Sequence, residues 1–141
     1  MSIDLATART IVAGAFSAAE EASYKPLTVV VLDAGGHVVA VERQDGSSNK
    51  RFEIAHGKAY GALSLGVGSR ALMNRAEQQP YFIAAATNAV GALVPVPGGV
   101  LVKDDGGTLL GAVGISGDTS DSDEAAALAG VEAAGLVAQP D

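Results

Sequence analysis

Two cations sit on what should be the buried side of a helix. Residues 51–66, RFEIAHGKAYGALSLG, wind at about 100° per residue into one apolar arc of Ile54, Ala55, Ala59, Ala62, Leu63 and Leu65. Lys58 falls near the middle of that arc, and Arg51 falls inside it closer to the helix start. A dry, unpaired ammonium costs several kcal/mol, so this pattern demands a compensating group. Water, an internal carboxylate or the carboxylate of a ligand would serve. The structural alternatives are an ion pair with Asp45 or Asp33, a stem that snorkels to the rim, or an arc that faces a neighbouring subunit.

Other residues could join such a site. His56 lies at the edge of the same arc and His37 in a turn between two β-branched runs. Each can move a proton near neutral pH, although a histidine on a helix rim or in a turn often does neither chemistry nor binding. Arg43 can clamp a carboxylate with its planar fork, and Asp45 can hold Arg43 or Lys58 in place; the plainer reading is a charge pair at a strand end. In Pro95-Val-Pro97-Gly98-Gly99 the prolines fix φ, and the glycines permit a tight turn or close approach by a ligand. Backbone amides of Gly98, Gly99 and Val100 could bind an oxyanion, or the segment could simply lead into a strand. No G-x-G-x-x-G follows a strand and no Walker lysine is present, so it is not a nucleotide loop.

Other chemistries lack their residues. There is no cysteine, which removes disulfides and thiolate metal sites. The two histidines and the nearby acids show no metal-ligand spacing, and no metal site is expected. GDTSDSDE, residues 117–124, reads as a helix cap; its acids lack the spaced loop of an EF-hand. Met73 could be a soft axial ligand but reads better as packing. The net charge is −7 without a basic run, which argues against nucleic acid. The N-terminus lacks the pattern of a signal peptide and no stretch approaches a membrane span. A cytoplasmic location is expected, with a processed secreted form left open.

The elements that must position these residues are legible in outline. Leu5, Ala8, Ile11, Val12, Ala15 and Ala19 recur at helical spacing behind Ser2, a candidate cap; this helix should end near Ser23. LTVVVLDAGGHVVAVER predicts a hairpin turning at Asp33-Ala-Gly-Gly. A short helix follows from Arg70 to Glu77, behind Ser69. Tyr81 to Val90 reads as strand or loop. Strands near Val100–Lys103 and in LLGAVGIS flank a turn at Asp104-Asp-Gly-Gly. A last helix, capped by Ser120 or Asp121 with Asp123 or Glu124 completing a capping box, should run to about Val137. Hairpins outnumber crossovers, so 141 residues form a single α+β domain with a largely antiparallel sheet.

Four stretches together resemble the GlcG/HbpS-like family of haem-binding or haem-degrading proteins: DAGGHVVAVERQDGS, IAHGKAYGA, VPVPGGVLV and GAVGISGDTSDSDEAAALAG. They span nearly the whole chain in the family's order. The resemblance implies a five-stranded antiparallel sheet flanked by helices and a ring-like homo-oligomer, often an octamer. It also implies a haem or related tetrapyrrole ligand. On that reading the propionates meet Arg51, Lys58 or Arg43, and the iron meets His56, His37 or a weaker oxygen ligand, with any haem degradation slow. The alternative is a cofactor-free enzyme or sensor for a small organic acid. There Lys58 would polarise or capture the acid, Arg43 would orient it, and His56 or Asp45 would move a proton.

Overall fold

The two hairpin turns use the same device. In the computed structural model, which describes residues 1–141, Asp33 Oδ1 accepts hydrogen bonds from the amides of Gly35 and His37. Asp104 Oδ1 does the same for Gly106 and Thr108. Each aspartate organises its own reversal as an Asx-type turn, and a glycine with positive φ, Gly36 or Gly107, completes it.

Around these turns the chain runs α1 (Leu5–Glu21), β1 (Thr28–Asp33), β2 (Val38–Arg43), α2 (Arg51–Leu65), α3 (Ser69–Gln78), α4 (Pro80–Val90), β3 (Gly99–Lys103), β4 (Leu109–Ser116), α5 (Ser120–Ala133) and β5 (Val137–Gln139). The five strands form one sheet in the order β2-β1-β4-β3-β5, with every pairing antiparallel. The α+β class with a largely antiparallel sheet is as the residue pattern predicts, and the five strands flanked by helices are as the family resemblance implies.

The sheet separates two apolar layers. Val29, Val31, Val100, Val102, Val113 and Ile115 pack against α1 and α5, where Ile11, Ala15, Ala127 and Val131 are buried. On the other face Val30, Leu32, Leu101 and Ala112 meet Ala55, Ala59 and Ala62 of α2. β1 is buried on both faces, which fits its continuous apolar run. A small third cluster joins α3 and α4 through Leu72, Ile83 and Ala86. No helix is long and apolar enough to cross a membrane.

Several local expectations are corrected. Tyr81 to Val90 belongs to a helix, α4, which starts with Pro80 in its first turn, where a missing N–H is harmless. Asp4, not Ser2, caps α1 through the amide of Thr7. Thr119, not Ser120 or Asp121, caps α5 through the amide of Ser122. α5 stops at Ala133, and Val137, where the helix was expected to end, opens β5 on the edge of the sheet. A run of small apolar residues, AAGLVAQ, carries little periodicity with which to tell the two apart.

Candidate functional site

Lys58 is 2 % exposed, and its anion belongs to the protein. Its Nζ donates to Asp123 Oδ2 at 3.0 Å and to the Ile115 carbonyl at 2.9 Å. Asp123 is 1 % exposed and accepts the amide of Asp118 at its other oxygen, 2.9 Å away. The ion pair therefore joins α2, the end of β4 and the first turn of α5. Burial lowers the Lys58 pKa; the charge and hydrogen bond of Asp123 oppose that shift, and the Arg51 charge adds to it.

Sequence reasoning missed Asp123 as this partner because it sits among capping residues, 65 positions away. A signal was present, however. Asp123, Ala126, Ala127, Gly130 and Val131 form the buried stripe of α5. An acid on one buried stripe is the natural complement of a cation on another.

The same flank of α2 absorbs the other predicted anion binders. Arg51 donates through Nη1 to Ser116 Oγ at 3.0 Å and through Nε to Ser48 Oγ at 3.2 Å. The amide of Gly99 donates to Ser69 Oγ at 2.7 Å, and the Ser69 hydroxyl returns a bond to the Gly99 carbonyl. Gly98 and Gly99 serve packing. A Cβ on Gly99 would stand 2.3 Å from the Lys58 carbonyl oxygen, and one on Gly98 would stand 2.9 Å from Lys58 Nζ. They let α2 lie directly on the start of β3. Gly114 does the same on β4, where a Cβ would come within 1.9 Å of the Ala55 carbonyl oxygen.

The opposite flank of α2 is open. Phe52, His56 and Tyr60 recur every four residues and stack in a row. Ring centroids are 5.8 Å apart for Phe52–His56 and 5.3 Å for His56–Tyr60, with interplanar angles of 25° and 22°. His56 is half-buried. Beside it a groove of about 350 Å³ runs between α2 and the end of α4, bounded by Phe52, Gly57, Thr87, Ala92 and Val94. Tyr60 approaches the β1–β2 turn, since a Cβ on Gly36 would lie 3.0 Å from its ring. This flank thus overlooks β2, which α2 leaves uncovered. Val41 pairs with Val30 and Val38 with Leu32, so both face the α2 side of the sheet, and they are 38 % and 50 % exposed.

The remaining candidates lie elsewhere. Arg43 donates to the Ser47 carbonyl. With Asp45 it lines a wide groove of about 550 Å³ together with Phe16, Glu20, Tyr24 and Glu42. His37 is exposed and its Nδ1 lies 3.1 Å from Asp33 Oδ1. No three metal-ligating side chains come together. The expected cluster of Arg43, Asp45, Arg51, His56, Lys58, Gly98 and Gly99 is therefore divided: an internal ion-pair region, a His56 groove, and a separate Arg43–Asp45 groove.

A small antiparallel sheet clad on both faces by helices, with a buried lysine under a Pro-Gly-Gly turn, defines a class of compact α+β domains. The chain belongs to the family described as haem degrading protein HbpS-like, whose model matches residues 3–132. Among solved structures, the PduOC–haem complex superposes with a TM-score of 0.85 at 22 % identity, covering 97 % of this chain and 98 % of that one. Protein ORFY of Klebsiella pneumoniae gives 0.83 at 26 % identity, covering 94 % and 90 %. HbpS gives 0.81 at 26 % identity, covering 94 % and 89 %. No curated protein matches the sequence.

Proposed function

We propose that this protein binds haem or a related tetrapyrrole against the open flank of α2, with His56 as the side chain that meets the iron. The observation that carries this reading is the stacked row of Phe52, His56 and Tyr60 beside a groove. Family membership and the haem in the PduOC complex support it. The aromatic neighbours stack on the imidazole, and neither ring nitrogen of His56 is engaged by a protein hydrogen bond, which leaves either available to a ligand.

The fit is partial, and its shortfall is informative. A groove of about 350 Å³ lies near the lower end of the roughly 300–1,000 Å³ typical of small-molecule sites. A macrocycle there would extend over the uncovered Val38 and Val41 of β2. A homo-oligomer whose second copy covers this face would complete the enclosure, and a ring-like assembly is part of the proposal. When bound, haem supplies iron–oxygen chemistry; any degradation would be slow and would require a reductant or peroxide.

The small-acid alternative loses its centre, because Asp123 holds the place it reserved for a substrate carboxylate. Haemin titration of the purified protein tests the proposal. A saturable Soret shift is expected for the wild type, with affinity reduced by about tenfold or more in His56→Ala. Failure of the wild type to saturate overturns tetrapyrrole binding, and an unchanged His56→Ala spectrum and affinity overturns the role of His56.

A further inference from the structure

At the far end of α2, away from His56, lies a second kind of cavity. The last turn of α2, α3 and α4 enclose a crevice of about 220 Å³ lined by Leu65, Val67, Ala71, Leu72, Phe82 and Arg75. Its wall is apolar except for one guanidinium. Arg75 sits over the Phe82 ring, with Cζ 3.9 Å from the centroid. Its sole protein hydrogen bond runs from Nε to Gln79 Oε1, leaving both terminal NH2 groups without a protein partner.

Arg70 on the same helix is treated differently. Arg70 is held by Glu124 and Asp121. Arg75 is exposed and, like Arg9, Arg43 and Arg51, meets no carboxylate of the chain. The contact with Phe82 restrains the guanidinium, and its two terminal NH2 groups remain available as donors. Such a pair of donors matches a carboxylate in bidentate geometry.

We propose that this crevice binds a small monocarboxylate with a compact apolar body, of the benzoate or phenylacetate class. The body fills the space between Leu65, Val67, Leu72 and Phe82, and the carboxylate pairs with Arg75. The volume is adequate, because an apolar cavity of about 150 Å³ already accepts a benzene ring. The site is independent of tetrapyrrole binding: it shares no lining residue with the His56 groove.

The test titrates the intact protein with benzoate and, in parallel, with benzamide, following the methyl NMR signals of Leu65, Val67 and Leu72. Saturable shifts with benzoate are expected, with benzamide bound about tenfold more weakly or worse. Arg75→Gln should remove that preference while leaving the thermal midpoint nearly unchanged. Ala71→Leu, which fills the crevice from a half-buried position, should abolish the benzoate shifts. The proposal is overturned if benzoate gives no saturable shift, if benzamide binds equally well, or if Arg75→Gln retains the preference. It is also overturned if the same signals move on dilution rather than with benzoate, since a neighbouring copy would then occupy the crevice.

Discussion

The two flanks of α2 carry similar numbers of chemically capable side chains and treat them in opposite ways. On the inner flank Lys58 and Arg51 are enclosed, and each polar hydrogen-bonding relation closes within the chain. On the outer flank His56 keeps its ring nitrogens unpaired between two aromatic rings. The contrast shows that burial of a charge is a poor pointer to ligand binding by itself. A buried charge must be compensated during folding, whereas a half-exposed imidazole carries no such obligation and stays available to a guest.

The largest effect should come from opening the inner flank. Lys58→Met or Asp123→Asn alone should destabilise the fold by about 3–5 kcal/mol, because each strands a buried partner. The double variant should recover most of that loss. Urea unfolding of the four proteins measures the coupling directly. Equal and additive losses would show that the pair does not act as a unit.

Next in size is the seat of the helix. Gly114→Ala should cost about 1–3 kcal/mol by overpacking, since the new methyl meets the Ala55 carbonyl. Val41→Thr on the exposed strand facing the outer flank should shift the unfolding free energy by less than about 0.5 kcal/mol.

His56→Ala sharpens the contrast from the other side. It should remove about 1 kcal/mol of aromatic stacking, while its effect on haemin affinity is the larger one. Calorimetric melting beside the Soret titration separates the two.

The smallest expected effect lies at the hairpin turn and is set by pH. The backbone amide of His37 is the main cause that lowers the Asp33 pKa below its ordinary value of 3.8. A depressed carboxylate contributes stability above the unfolded pKa, and that contribution disappears as pH falls through the lower folded value. Asp33→Asn should therefore melt slightly lower than the wild type at neutrality, converge with it well below about pH 3.8 and flatten the pH dependence in between, as thermal melts across an acid series would show.

The sequence displayed much of this architecture. LLGAVGIS marked β4 to the residue, and Asp-x-Gly-Gly marked both reversals, because strand alternation and turn chemistry are local. α4 was obscured because Tyr81-Phe-Ile-Ala-Ala-Ala mixes aromatic and β-branched residues with alanine, and local preference does not decide between helix and strand. In the site, the anomaly at Lys58 was legible but its solution was not. Its carboxylate arrives from another helix through tertiary packing, and no spacing rule links positions 58 and 123. The row at Phe52, His56 and Tyr60 was within reach of the i, i+4 rule; the pull of the charged residues on the same helix hid it.

The upper side of α2 is almost bare. Gly57 and Gly61 admit Val94 and Leu93, and a Cβ at either glycine would lie within 3 Å of those side chains. Each glycine also weakens an isolated helix by about 1 kcal/mol relative to alanine. This segment is therefore a weak helix on its own. Its helical form rests on the strands beneath it and the 91–95 connection above it, and the orientation of the histidine it carries rests on that same packing.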